Sequence, residues 1–180
     1  MIRPAAPADV GTLVQLIHDL AAFERSPGSV AIDRDQLHDA LFAGAPTVFA
    51  HVAELDGEVV GMAIWFLNFS TWTGRHGIYL EDLYVRPEVR GCGVGRALLI
   101  ELAATAVRSG YGRVDWSVLD WNETALRFYR SLGAEPLDKW TAYRLSGDGL
   151  ATLGATAPPD PATGTRRDPG HQRAERAIRW

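Results

Sequence analysis

The sequence predicts a mixed α/β (α+β) domain in which strands and amphipathic helices alternate. Apolar residues recur at helical spacing from Val10 to Leu20. Two runs rich in β-branched and aromatic residues, "TVFAHVAEL" and "EVVGMAIWFLNF", are joined by Asp56-Gly57, the usual turn of a two-residue β-hairpin. With 180 residues, 47% of them apolar, the chain is the size of one ordinary domain and can bury a sizeable core.

The N-terminal part is predicted to form a short strand followed by two helices. The strand is Ile2–Arg3, and Asp9 places negative charge in the first turn of a helix that ends near Arg25. A second helix begins at Asp33, with Gln36 as its capping-box partner, and the tripeptide "GAP" ends it.

After the hairpin, strands and helices continue to alternate. Gly77–Val85 is predicted to be a strand, and the helix that follows Gly93 ends at Gly110. The run "RVDWSVL" predicts a further strand, Asn122 begins a helix that Gly133 ends, and "WTAYRLS" predicts a last strand.

The composition changes near Leu153. Beyond it the chain is rich in Pro, Gly, Thr and Arg and has almost no residues suited to a core. We therefore predict a domain over residues 1–153 and a disordered tail over residues 154–180.

Charge and composition exclude several classes of function. A net charge of −4 gives no basic surface for nucleic acid, and no apolar run approaches the length of a membrane span. A single cysteine, Cys92, favours a reducing, cytoplasmic location. The five histidines show no metal-ligand spacing, so no metal is expected.

The stretch "YLEDLYVRPEVRGCGVGRALLIEL" places a glycine-rich loop between a strand and a helix. A dinucleotide fingerprint would need glycine where Arg96 stands, and the Gly-Lys-Ser/Thr of a P-loop is absent. What remains, residues 90–96, is a run of backbone N–H groups at a helix N-terminus. Such a run binds an anion such as a pyrophosphate, with Arg90 and Arg96 as flanking donors, unless the glycines only form a turn.

These residues resemble a known superfamily. "VRPEVRGCGVGRALL" is similar to the acetyl-CoA signature of the GNAT N-acetyltransferases, Arg/Gln-x-x-Gly-x-Gly/Ala, which Arg90, Gly93 and Gly95 match. "YLEDLYV", "DWNETALRFYRSLGAE" and "IRPAAPADV" resemble the branch that contains spermidine/spermine (diamine) and thialysine acetyltransferases. The resemblance covers roughly residues 1–147.

The resemblance implies a mostly antiparallel sheet with helices on both faces. The sheet splays open between the strand that ends at Val85 and the strand Arg113–Leu119 to admit the pantetheine arm of acetyl-CoA. The Val85 N–H then binds the thioester carbonyl. The residues implied in cofactor binding are Leu83, Tyr84, Val85, Arg90, Gly91, Cys92, Gly93, Val94, Gly95, Arg96, Asn122 and Tyr129.

Acetyl transfer to an amine requires a base for an ammonium group whose pKa is near 10 and an acid for the departing thiolate. By resemblance, Glu81 faces inward and acts as the base, directly or through water, and Tyr129 is the acid. Adjacent strand residues point to opposite faces, so Asp82 points away from Glu81. The resemblance nevertheless places both carboxylates among the substrate-binding residues. Without these roles, Glu81 is a solvated charge and Tyr129 a core aromatic.

The remaining substrate residues are also implied by the resemblance. Glu24 aligns with a residue that binds the distal amine of a polyamine, although a lone Glu at a helix end is otherwise a surface charge. Trp72 and Tyr143 occupy aromatic positions of the substrate channel, and Tyr143 departs from the tryptophan usual in polyamine enzymes.

The expected activity is transfer of an acetyl group to a small cationic amine by a homodimer. A protein N-terminus or lysine, or an aminoglycoside, is the rival acceptor. A non-catalytic acyl-CoA sensor is the alternative from another class. A covalent acyl-enzyme on Cys92 is not favoured, because no His/Asp pair supports this cysteine.

Overall fold

The computed structural model describes residues 1–158, in which five strands and five α-helices alternate along the chain. The predicted helices and the β-hairpin are confirmed. The elements are β1 (Ile2–Pro4), α1 (Val10–Phe23), α2 (Arg34–Phe42), β2 (Val48–Leu55), β3 (Glu58–Ser70), β4 (Arg75–Val85), α3 (Val94–Arg108), β5 (Val114–Trp116), α4 (Glu123–Ser131) and α5 (Gly147–Gly154).

The strands form one sheet in the order β1-β2-β3-β4-β5. All neighbouring pairs are antiparallel except β4 and β5, which are parallel. At the hairpin between β2 and β3, Asp56 and Gly57 both have positive φ, 51° and 83°. These angles suit the type I′ turn that the dipeptide predicts. The mixed, mostly antiparallel sheet expected from the sequence is confirmed.

Helices cover both faces of the sheet. On one face, α1 and α2 pack Leu13, Leu16 and Leu37 against β2, β3 and β4, including the buried Met62 and Ile64. On the other face α3 contributes fully buried leucines, 98 and 102, and contacts the same three strands. Each fully buried leucine contributes about 1.5–3 kcal/mol relative to an exposed one, so both helix layers hold the sheet in place.

An ionic network fixes the entry into α1. The Asp9 carboxylate accepts two hydrogen bonds from the Arg3 guanidinium, at 2.6 and 3.0 Å, and one from the Ala6 N–H at 2.7 Å. Arg3 Nε also donates to Glu54 at 2.8 Å. The hydrogen bonds from Arg3 lower the pKa of Asp9, so this network is charged at neutral pH and ties β1, β2 and α1 together.

The C-terminal part differs from the sequence prediction. The chain forms two compact units, Met1–Tyr129 and one that begins at Arg130. In the second unit, residues 140–146 form no strand, and α5 follows where no helix was predicted. The side chains of Trp140 and Tyr143 are 71% and 93% exposed. A strand needs a neighbour to pair its backbone, and within residues 1–158 this segment has none.

One strand is shorter than predicted. β5 covers only three of the seven residues predicted for it, and the predicted domain limit at 153 stays a prediction. The predicted tail, 154–180, lies outside the described residues from position 159 onward. No helix in residues 1–158 is long and apolar enough to cross a membrane.

Candidate active site

The sheet opens where β5 leaves β4. β5 pairs only with Ile78–Leu80, while β4 continues to Val85. Immediately after the last pair, β4 contains a β-bulge: Leu80 lies opposite Trp65 and Asp82 opposite Ile64, so Glu81 is the extra residue. The predicted splay is therefore present, and a bulge marks its origin.

The bulge changes which backbone groups face the opening. Before it, the Ile78 N–H donates toward the β5 side, to Arg113 O at 3.0 Å. Beyond the end of β4, the Arg86 N–H donates toward β3, to Val60 O at 2.9 Å. Because successive N–H groups of a strand alternate in direction, those of Leu83 and Val85 point to the side that β5 has vacated. The Val85 N–H is thus available to a ligand in the opening.

The bulge also determines which of the two adjacent carboxylates, Glu81 or Asp82, is the more buried. Asp82 is half-buried on the face covered by α1, whereas Glu81 is exposed. The inward orientation of Glu81 stays a prediction, because an exposed carboxylate can still line an open cleft. Burial, together with the charges of Glu81 and Glu24, raises the pKa of Asp82 to about 6.

Glu24, Glu81 and Asp82 form an acidic cluster without a cation. Within residues 1–158, none of the three makes a salt bridge. The described residues also contain no group of three side chains placed to hold a metal ion. A cluster of unpaired carboxylates, one of them half-buried, favours binding of a cation from outside the chain.

Tyr129 lies on α4 beside this acidic cluster. Its ring contacts that of Trp116, with centroids 5.0 Å apart, and its hydroxyl has no hydrogen-bond partner among residues 1–158. Burial, and then the charge of Glu24, raise the pKa of Tyr129. The phenol therefore stays protonated at neutral pH and can donate a proton. Glu24 acts on both Asp82 and Tyr129, so the fold brings these groups to one place.

The glycine loop connects β4 to α3. Gly91 and Gly93 have φ values of 80° and 83°, which favour glycine. The N–H groups of residues 91–96 have no acceptor within residues 1–158, and the first bonded amide of the helix is that of Ala97, which donates to Gly93 O at 2.9 Å. Six free N–H groups at a helix N-terminus fit a diphosphate.

Gly95 brings this loop close to α4. A Cβ at Gly95 would lie 3.8 Å from both the Phe128 ring and the Val85 side chain. Phe128 thus packs toward the loop, while the adjacent Tyr129 packs on Trp116. Asn122 accepts the Ala125 N–H at 3.1 Å as the cap of α4, and its expected contact with pantetheine stays a prediction.

The two arginines that flank the loop differ in their contacts. Arg90 Nε donates to Val85 O at 2.8 Å, and its guanidinium lies over the rings of Phe23 and Tyr84, 4.8 and 5.2 Å from their centroids. It is directed toward the end of α1 rather than along the row of N–H groups. Arg96 is exposed, as is Cys92. Diphosphate binding by either arginine stays a prediction.

One predicted substrate residue, Trp72, lies away from the acidic cluster. Trp72 is 88% exposed in the turn between β3 and β4. Six residues of extended strand, roughly 20 Å, separate Arg75 at the start of β4 from Glu81, so the hairpin carries Trp72 away from its own chain's carboxylates. Tyr143 belongs to the second unit, and its role stays a prediction.

The bulge could have been found in the sequence. Apolar residues alternate at Ile78 and Leu80, and then at Leu83 and Val85, so the alternation slips by one residue at the two carboxylates. A slip of this kind indicates a bulge.

Comparisons with known proteins agree with this site. Residues 13–134 match the model of the Acetyltransferase (GNAT) family. The chain is 37% identical over 164 residues to the thialysine N-epsilon-acetyltransferase of Bos taurus. The aligned region covers 85% of this chain and 96% of that protein. It is 30% identical to the L-ornithine N5-acetyltransferase NATA1 of Arabidopsis thaliana, over 84% of this chain and 86% of that one.

Among solved structures, an integron cassette protein from the mobile metagenome of V. cholerae has a TM-score of 0.73 at 27% identity, covering 87% of this chain and 98% of that one. An aminoglycoside acetyltransferase from a soil metagenome has a TM-score of 0.68 at 22% identity, covering 81% and 96%. The second likeness concerns the fold alone.

Proposed function

Since this chain belongs to the GNAT acetyltransferase family, and is therefore an N-acetyltransferase whose donor is acetyl-CoA, we propose that its acceptor is the primary amine of a small cationic molecule. The acceptor class comprises diamines, polyamines and thialysine-like amino acids. The observation that supports this class is the acidic cluster of Glu24, Glu81 and Asp82, which has no cation among residues 1–158.

The residues present fit acetyl-CoA. The free N–H groups of residues 91–96 suit its diphosphate, and the opening between β4 and β5 suits the pantetheine arm. When bound, this donor supplies a thioester-activated acetyl group. The Val85 N–H, which points into the opening, donates a hydrogen bond to the carbonyl oxygen and stabilises negative charge there.

The acidic cluster binds the acceptor's ammonium group and removes its proton. Asp82, with a pKa of about 6, is closer in proton affinity to an amine than an ordinary Asp, so it accepts the proton more readily. Glu81 holds the reacting ammonium group over Asp82 through its charge, and Glu24 binds a second, distal cation of the acceptor. This division of roles replaces the expectation that Glu81 is the base.

Tyr129 completes the transfer. Its hydroxyl is protonated at neutral pH because burial and Glu24 raise its pKa. Its role is to supply that proton to the thiolate that acetyl-CoA would release. Bound acetyl-CoA would supply the acetyl group directly to the acceptor nitrogen, and Cys92 takes no part.

A screen for thiol release separates this function from its rivals. Wild-type protein is incubated with acetyl-CoA and thialysine, lysine, ornithine, diamines, spermidine, an aminoglycoside or a peptide with a free N-terminus. Amine-dependent release of the CoA thiol with the small amines is the expected result. Release only with the aminoglycoside or peptide would replace the acceptor class, and binding without release would indicate a sensor.

We also propose that the protein is a homodimer. Apolar side chains of the second unit are exposed, including Leu137 at 67% and Trp140 at 71%, and residues 140–146 lack a strand neighbour. Pairing with a second copy would cover these side chains and supply that neighbour. Sedimentation at micromolar concentration should give a dimer, and a stable monomer would contradict the proposal.

We also propose a cytoplasmic location. Cys92 is the chain's only cysteine and is exposed as a free thiol, which a reducing compartment preserves. Fractionation of the source cells should recover the protein with the cytosolic enzymes.

A further inference from the structure

The end of α1 holds an arginine in a backbone conformation that favours glycine. The Ser26 N–H donates to Ala21 O at 2.8 Å and the Arg25 N–H to Ala22 O at 3.1 Å, the two bonds of a Schellman motif. Arg25 occupies the left-handed position with φ of 62°. A residue with a Cβ is strained there, so the position suggests a use for the Arg25 side chain.

The Arg25 guanidinium lies on an aromatic surface and not on a carboxylate. It stands 4.6 Å from the centroid of the Trp121 ring, and within residues 1–158 it has no salt-bridge partner. The Trp121 ring contacts that of Phe23 at 6.0 Å, and Phe23 in turn lies beneath Arg90. A guanidinium stacked on a ring keeps its N–H groups free at the edge, where they can bind a carboxylate with two hydrogen bonds.

This cation follows a member of the acidic cluster in the chain. Arg25 is the residue after Glu24, whose charge acts on both Asp82 and Tyr129. An acceptor with an ammonium group at the carboxylates and a negative group at its other end would extend that negative group toward Arg25. A basic amino acid, with an amine on its side chain and a carboxylate at the other end, matches both charges, whereas a polyamine brings a second cation toward Arg25.

We propose that Arg25 binds the α-carboxylate of the acceptor and makes the enzyme selective for basic amino acids over the corresponding diamines. The proposal rests on the proposed function, because the amine that is acetylated must first lose its proton to Asp82. Trp121, itself in contact with Phe23, holds the guanidinium in place, and the left-handed backbone sets the direction in which the Arg25 side chain leaves the end of α1.

The test compares one acceptor with and without its carboxylate. Thialysine and bis(2-aminoethyl) sulfide, its decarboxylated form, are assayed with wild-type protein, Arg25→Gln, Arg25→Lys and the control Arg108→Gln. Arg108 is an exposed arginine at the C-terminal end of α3. Its substitution by Gln changes the net charge by the same amount as Arg25→Gln. The readout is the ratio of kcat/KM for the two acceptors, which a change in folded fraction leaves unaltered.

Wild type should prefer thialysine by tenfold or more, and Arg25→Gln should lower the ratio by about tenfold to a hundredfold, the equivalent of one charge-assisted contact. Arg25→Lys should restore part of the preference, and Arg108→Gln should leave the ratio at its wild-type value. If both acceptors are acetylated and the ratio is the same in Arg25→Gln, the role of Arg25 is wrong while the proposed function stands. If wild-type protein acetylates neither thialysine nor bis(2-aminoethyl) sulfide, both the role of Arg25 and the proposed function are wrong.

Discussion

Asp9 and Asp82 are both at least partly buried, but their charged neighbours have opposite sign and shift their pKa values in opposite directions. Asp9 accepts two hydrogen bonds from Arg3 and one from the Ala6 N–H, and its pKa is lowered. Asp82 has carboxylates as its charged neighbours, Glu81 and Glu24, and its pKa is raised to about 6.

The difference separates a structural charge from a functional one. The partner of Asp9 is part of the chain, so the pair is complete when the protein folds. The partner of Asp82 is absent from residues 1–158, and an acceptor ammonium group would supply it. A half-buried carboxylate left without a cation destabilises the fold, and this cost supports the proposed binding role of Asp82.

The largest effect is expected from Asp82→Asn. The change removes the proton acceptor, so kcat/KM should fall by roughly a thousandfold, within the range for general base catalysis. Stability should rise above pH 6, because the pKa shift from 3.8 to about 6 corresponds to a penalty of up to about 3 kcal/mol. Steady-state kinetics and denaturant unfolding measure the two effects.

The same prediction fixes the direction in which Asp82 changes the folding stability with pH. Between about pH 4 and pH 6 the unfolded chain has released the proton of Asp82 and the folded chain has not, so this group lowers stability as pH rises. Asp82→Asn should remove that slope. The control is Asp39→Asn on α2, whose side chain is 83% exposed. A loss of stability in Asp82→Asn would show that Asp82 has a partner.

Tyr129→Phe tests whether the Tyr129 hydroxyl, whose pKa the charge of Glu24 helps to raise, is the proton donor. The ring and its contact with Trp116 remain, but the proton for the thiolate is lost, so kcat should fall about a hundredfold with little change in the acceptor KM. Stopped-flow measurement of the acetyl-transfer step checks the assignment. Full turnover with transfer rate-limiting would assign the proton to another group.

Asp9→Asn tests the structural member of the comparison. Loss of the charge-assisted hydrogen bonds to Arg3 should lower stability by about 1–3 kcal/mol at neutral pH. Because the folded pKa of Asp9 is depressed, this contribution is present above the unfolded pKa and disappears as pH falls through the folded one. The kcat/KM of the folded protein should match wild type, and a specific loss of activity would link Asp9 to the site.

The smallest effect is expected from Glu24→Gln. Removing this charge lowers the pKa of Asp82 and should move the acidic limb of the pH–rate profile to lower pH. Dicationic acceptors should bind about tenfold more weakly, in the range of a charged hydrogen bond, while monoamines change little. Equal losses for both acceptor types would exclude a distal cation at Glu24.

Much of the fold was predictable because local signals are strong. Asp56-Gly57 requires a tight turn, and the glycine loop places a helix start after a strand. The strand predicted at residues 140–146 is absent because strands depend on a neighbour, which local sequence does not specify.

The site was predictable in its residue types but not in their arrangement. Strict alternation assigned opposite faces to Glu81 and Asp82 without deciding which is buried, and the bulge settles this in favour of Asp82. Arg25 carried no sequence signal, because its role depends on the ring of Trp121, almost a hundred residues away, and on a left-handed backbone angle.

The most direct test is a carbon-13 NMR titration of the Asp82 carboxyl group, assigned with Asp82→Asn, in the presence of CoA. Without an acceptor the midpoint should be near pH 6, because burial and the charges of Glu81 and Glu24 raise the pKa of Asp82. It should move to lower pH when a diamine or thialysine binds, because an ammonium group favours the carboxylate. A midpoint near 4 that does not respond to acceptor would contradict the assignment of Asp82 as the unpaired proton acceptor.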